Sequence, residues 1–141
     1  MGNLDAAAEE MALGLINESR QANGLPPLAL SDALRQVARA HAMDMAARGY
    51  FSHVNPEGQR VKDRVTGAGI PWSYVAENIG WSSNYSSPAD GVRANHEAMM
   101  AETPPDDSHR RIILSPKARK VGIGVVVVPG GKVYYVADFT D

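Results

Sequence analysis

Residues 121–128, VGIGVVVV, and residues 132–139, KVYYVADF, are two β-rich runs separated by Pro129, Gly130 and Gly131. Branched and aromatic residues on either side of a Pro/Gly turn read as an antiparallel hairpin with a short loop. Side chains alternate along a strand, so Val121, Ile123, Val125 and Val127 share one face, while Val126 and Val128 share the other with Gly122 and Gly124. The second run repeats the pattern, with Val133, Tyr135, Ala137 and Phe139 on one face and Tyr134 and Val136 on the other. A hairpin that is apolar on both faces must be covered on both, and helices are the cover the rest of the chain offers. The expected fold is α+β: a three-layer α-β-α sandwich whose central antiparallel sheet carries helices on both faces.

From about residue 5 to residue 22, Ala8, Met11, Ala12, Leu15, Ile16 and Ser19 recur at helical spacing, before Asn23, Gly24 and two prolines stop the run. Ser31 is a good N-cap for a second helix, whose Leu34, Val37, Ala38, His41, Ala42, Met45 and Ala46 form one stripe ended by Gly49. Residues 57–71 hold a short helix closed by Gly67 and Gly69, and VAENIGW, residues 75–81, reads as a short extended segment. A fourth helix opens at Ser87 and Pro88 and runs to about Glu102, where Pro104 and Pro105 break it. These elements form a single domain over residues 5–141, with residues 1–4 read as a flexible or added N-terminus.

At 141 residues the chain has the length of one domain, enough to bury roughly two-thirds of the surface its unfolded form exposes. A formal net charge of −2 and the absence of any long Lys/Arg run argue against a nucleic-acid partner. The chain has no cysteine, which rules out disulfides, thiolate metal sites and a cysteine nucleophile. No apolar run approaches the length of a membrane span, and the first ten residues lack the charged and apolar regions of a secretory signal. If the native protein is exported, its signal has been removed.

Three separated segments place polar residues beside apolar ones: YFSH with His53, AENIG with Glu77, and DDSHRRIIL with His109. His53 stands where a helix ends and a Pro/Gly loop begins, a position that frees an imidazole to face a cavity. His41 lies on the apolar stripe of the second helix and reads as a hydrogen-bonded core histidine. His96 reads as a packed side chain, because HEAMM lacks the second histidine of a metalloprotease helix. Ser52 and Ser108 each precede a candidate histidine, yet no nucleophile elbow accompanies either, so a Ser-His-Glu hydrolase is disfavoured. Trp72, Tyr74, Trp81 and Tyr85 bracket ENIG and take no assigned role.

The ordered set NESRQANGLPPLALSDALRQVARAHAMDMAARGYFSH, Arg64, ENIG, SHRRIILSP and VGIGVVV followed by YYVADF resembles the CAP superfamily, also called SCP-like. That family includes the cysteine-rich secretory proteins, antigen 5 and the plant pathogenesis-related-1 proteins, and the chain is similar to its disulfide-free bacterial branch. The likeness covers about residues 16–139. It implies a central cleft with two histidines and two acids, which in several members binds a divalent metal, often zinc. Residue by residue it carries over to His53, Glu77 and His109, with Ser108 where the family usually has glycine. For the second acid the family pattern has a tryptophan three residues before it. That tryptophan is absent here, and Glu97 and Glu102 compete.

Helical geometry favours Glu102, which lies near the inward face marked by Val92, His96 and Met99, while Glu97 projects nearly opposite. Arg64 is expected to pair with a carboxylate or carbonyl near the cleft, and Asn78 to support a local turn. The resemblance implies an extracellular or cell-envelope protein, expected to be a monomer. It suggests a non-catalytic binding module for a lipid, peptide or cell-envelope ligand, with His53 and His109 as candidate ligands of zinc or another divalent cation. The alternative is a zinc-dependent hydrolase or peptidase in which Glu77 acts as general base on a metal-bound water. The binding module is favoured, since catalytic zinc usually has three protein ligands.

Overall fold

A computed structural model of the chain describes residues 2–141 and contains the hairpin. Strands β4 (Lys120–Val127) and β5 (Val133–Thr140) pair antiparallel, from Lys120 opposite Thr140 to Val127 opposite Val133. The connecting loop turns at Gly130 and Gly131, whose φ values of +96° and +90° suit glycine. On the far side of β5, strand β3 (Val75–Ser82) pairs antiparallel, with Glu77 opposite Asp138 and Asn78 opposite Ala137. The outer edge of β4 receives two short strands, β1 (Asn3–Leu4) antiparallel and β2 (Ala29–Leu30) parallel.

Helices cover both faces. Val121, Ile123, Val125, Tyr135, Ala137 and Phe139 pack with residues of α1 (Ala6–Ala22), α4 (Pro88–Met100) and α5 (Ser108–Ile113). Val126, Tyr134 and Val136 pack with Ala38, Ala42 and Met45 of α2 (Asp32–Arg48). Helix α3 (Val61–Gly67) adds Val65 beside Leu34 and Val37 of α2. Each fully buried large apolar side chain contributes about 1.5–3 kcal/mol, so both layers of cover matter to stability. This is the α-β-α sandwich expected from the two-faced hairpin, with every strand residue on its anticipated side.

Side-chain caps start the helices where the sequence places them. Asp5, Ser31 and Ser87 accept hydrogen bonds from Ala8, Leu34 and Asp90 N–H groups at 2.9, 3.2 and 3.1 Å. Gly49, at φ +68°, ends α2 in the left-handed conformation. Gly122 and Gly124 explain how α2 reaches the sheet. A Cβ at Gly124 would stand 2.6 Å from Arg39 Cα, and one at Gly122 would come closer still to the Leu34 and Arg35 backbone. The two missing side chains let the helix lie directly on the strand.

The edge of β4 between β1 and β2 is closed by a side chain. Val125 N–H donates to Glu9 Oε2 at 3.2 Å, and Arg39 Nε donates to the same oxygen at 3.0 Å, joining α1 to α2 around the rim of the sheet. Asp5 N–H and Ser31 N–H donate to the Val125 and Val121 carbonyls, each at 3.0 Å. Three elements differ from expectation. β1, β2 and α5 are too short to show a period, and Asn3 and Leu4, read as a flexible N-terminus outside the domain, are a strand of the sheet. No described helix is long and apolar enough to cross a membrane.

Candidate functional site

Strand β3 carries Glu77 and Asn78 as neighbours, and alternation sends their side chains to opposite faces of the sheet. Glu77 faces the α2 and α3 layer. There His53, five residues beyond the end of α2, sets its Nδ1 2.9 Å from Glu77 Oε1. Arg64 of α3 grips the same carboxylate with two bonds, Nη1 to Oε2 at 2.8 Å and Nη2 to Oε1 at 3.0 Å. Its Nη2 also donates to the His53 carbonyl at 2.9 Å, so one guanidinium fixes both the acid and the backbone of the histidine. Arg64 thus meets both a carboxylate and a carbonyl.

His41 Nε2 lies 2.8 Å from the Ser52 carbonyl, which ties the loop before His53 to α2. As expected of a core residue, His41 is buried, and desolvation lowers its pKa. Burial alone would push the Glu77 pKa up. The hydrogen bonds from His53 and Arg64, with the Arg64 charge and the neighbouring Asp138 carboxyl, outweigh that and bring it down to about 2. Asp138, directly across the ladder on β5, moves the other way. Fully buried and facing the Glu77 charge, its carboxyl is raised well above the usual aspartate range. Its oxygens make no well-aligned hydrogen bond among the described residues.

On the opposite face, Asn78 Nδ2 donates to the His109 carbonyl at 3.1 Å. Asn78 therefore holds α5 to the sheet and does not support a local turn. His109 Nδ1 lies 2.6 Å from Glu102 Oε2, and Arg110 N–H donates to Glu102 Oε1 at 3.0 Å. Glu102 lies two residues past the end of α4, where the helix dipole disfavours an anion. Desolvation also works to raise its pKa, yet the Arg110 N–H and His109 prevail and lower it. Glu97 is exposed on α4.

The four candidates thus form two His-Glu pairs, linked through consecutive residues of β3. In each pair Nδ1 faces a carboxylate, so in the neutral ring Nδ1 carries the proton and Nε2 is left as the acceptor. The first pair opens into a cavity of about 340 Å³ lined by His53, Arg60, Val61, Lys62, Trp72, Val75 and Glu77. A larger groove of about 800 Å³ lies between α2 and α3 and includes His41 and Arg64.

Neither serine beside a candidate histidine bonds to one among the described residues. Ser52 Oγ accepts from Val54 N–H at 3.0 Å, and Ser108 is the exposed first residue of α5. The Ser-His contact that does form is Ser19 Oγ with His96 Nε2 at 2.8 Å, which pins α1 to α4 and fits the packed role read for His96.

Among the described residues, no group of three or more His, Asp or Glu side chains is arranged to hold a metal ion. The donor chemistry fits a metal only in part. Carboxylates behind both imidazoles are the usual outer support of ligating histidines, yet His53 and His109 offer at most two nitrogens. The residue that the sequence reading passes over is Asp138. Its signal lay in the hairpin, where alternation puts an acid on the covered face of β5, opposite Gly122.

A family model described as CAP, cysteine-rich secretory protein family, matches residues 13–139. Uncharacterized protein YkwD of Bacillus subtilis (strain 168) is 31% identical over 121 residues, 86% of this chain and 43% of that protein. An extracellular protein containing a SCP domain from Bacillus anthracis str. Ames shares 25% identity at TM-score 0.77, covering 96% of this chain and 41% of the other. An outer surface protein from Borrelia burgdorferi superposes with TM-score 0.84 at 17% identity, covering 100% of this chain and 98% of that one. The chain spans less than half the length of the curated relatives it matches.

Proposed function

We propose, from the premise that this chain belongs to the CAP family of cysteine-rich secretory proteins, that it is a non-catalytic binding module of the bacterial cell exterior. Its His-Glu cleft, with His53 and His109 presenting Nε2 and Glu77 and Glu102 behind them, takes a lipid, peptide or cell-envelope ligand. The observation that carries this reading is the state of Glu77. A carboxylate that already accepts from His53 and twice from Arg64, with its pKa near 2, lacks the basicity to take a proton from water. The same argument weighs against a hydrolase that uses Glu77 as general base.

Placement outside the cytoplasm is supported by the similarity to a Bacillus anthracis protein described as extracellular. The chain is proposed to act as a monomer. Zinc or another divalent cation is part of the proposal. His53 and His109 would hold it through Nε2, a bound cation would supply Lewis acidity, and Glu77 and Glu102 would fix the two ring orientations.

Calorimetric titration with zinc near neutral pH, followed by peptide and ester hydrolysis assays of the loaded protein, tests the reading. The expected result is binding that weakens in both His53→Ala and His109→Ala, with no turnover. Turnover that vanishes in both variants would overturn the binding-module reading, and metal binding indifferent to both would remove the metal from it.

A further inference from the structure

We propose that the cavity beside His53 takes an acidic saccharide, with the anionic group on Arg60 and Lys62, a ring face on Trp72 and, in the metal-free protein, a hydroxyl donating to His53 Nε2. The inference rests on the reading of this cleft as a ligand site and names the class of ligand. Its volume of about 340 Å³ lies at the lower end of the range for small-molecule sites, enough for a short saccharide segment.

The charge balance of the walls points to an anion. Glu77, at the floor, is already neutralised by Arg64, and Arg60 and Lys62 form no ion pair among the described residues although both are exposed on the rim. Asp63, the nearest acid in sequence, accepts from Arg60 N–H at 3.0 Å and lines the separate groove between α2 and α3. The cavity thus presents two uncompensated cations and an imidazole acceptor, and no free acid.

The remaining wall narrows the class. Trp72 is 37% exposed, yet its indole N–H is bound to Thr66 Oγ1 at 3.0 Å, so the ring is held in place with its surface in water. An aromatic face carries partial negative charge and attracts the polarised C–H groups of a sugar ring. Beside Trp72, Val61 and Val75 supply the apolar side chains of the wall. An acidic sugar supplies all three matching features: anion, hydroxyl donors and a C–H face.

The experiment uses ¹⁵N-labelled protein with three probes: a galacturonic acid trisaccharide, the matched neutral galactose trisaccharide, and a hexose phosphate. Perturbation of residues 53, 60–62 and the Trp72 indole by an acidic probe, at least about tenfold tighter than by the neutral sugar and weakening with salt, is the expected result. The carboxylate and phosphate arms show which anion is preferred. Arg60→Gln with Lys62→Gln should cost about tenfold or more, and Trp72→Leu about threefold or more, in proteins whose spectra remain folded.

Equal binding of neutral and acidic sugars, or acidic binding indifferent to the Arg60 and Lys62 changes, overturns the proposal. If a neutral peptide or lipid perturbs His53 while no acidic sugar does, the binding-module reading survives and this inference falls. If an acidic probe is bound and hydrolysed, the non-catalytic reading falls and the saccharide site stands.

Discussion

The His53-Glu77 and His109-Glu102 pairs use the same two side chains in opposite surroundings. In the first the carboxylate is 1% exposed and the imidazole 44%; in the second the values are 20% and 36%. Glu77 is held by Arg64 and faces a buried second acid, whereas Glu102 has a backbone N–H and its histidine. Similar histidines are thus presented by very different supports. The buried support costs desolvation and offsets it through a network, so losing one member should cost far more than at the exposed pair.

That contrast sets the largest expected effect. Glu77→Ala leaves the Arg64 guanidinium buried without its partner and should lose about 3–5 kcal/mol of stability in urea unfolding, against about 1 kcal/mol for Glu102→Ala. Equal losses would break the comparison. Next comes acid titration. Glu77 folds with its pKa near 2 against an ordinary value of 4.5, so its contribution is complete above about pH 4.5 and is lost as pH falls toward 2. The size is on the order of 3 kcal/mol.

Asp138 enters with the opposite sign. Its folded pKa is raised above 3.8, so its contribution is present at low pH and declines as pH rises toward that folded value. The joint contribution of Glu77 and Asp138 should therefore peak in the mildly acidic range. Glu77→Gln should flatten the acid limb and Asp138→Asn the other, while Glu102→Gln should leave most of both. A smaller effect sharpens the same contrast. Asp138→Asn keeps the side chain's shape and removes an acid whose charged form burial disfavours, and should cost about 1 kcal/mol or less, whereas Asp138→Leu, which removes the polar group beside Glu77 altogether, should cost more.

The smallest effect is spectroscopic. Both His53 and His109 should show the Nδ1-protonated tautomer in ¹⁵N correlation spectra, with Glu102→Gln releasing only His109. A mixed tautomer at His53 in the intact protein would mean that Glu77 does not orient it.

The sequence shows the layers more readily than the site. The hairpin's two apolar faces are a period-2 signal carried by valines and aromatics, and they demand cover whatever the connections are. The three long helices α1, α2 and α4 show caps and periods of their own, and α3 its closing glycines. Strands β1 and β2, at two residues each, and α5, at six, have no period to read and form through tertiary contacts such as Asn78 with the His109 carbonyl. For the site, the resemblance named His53, Glu77 and His109, and helix geometry chose Glu102, which does meet His109, over the exposed Glu97. Asp138 was hidden because one acid in an apolar strand has no partner within reach along the chain. Glu77 becomes its neighbour only through the register of β3 on β5.

The Glu9 carboxylate at the rim of β4 bears on solubility. A sheet edge with free N–H and C=O groups is a template for a strand from another molecule, and β1 and β2 together cover only the two ends of this one. Glu9, paired with Arg39 and bound to Val125 N–H, places a charged side chain across the remaining gap. The Glu9–Arg39 pair, with the Asp5 and Ser31 N–H groups on the Val125 and Val121 carbonyls, thereby leaves less of this valine-rich strand open to edge-to-edge pairing between copies.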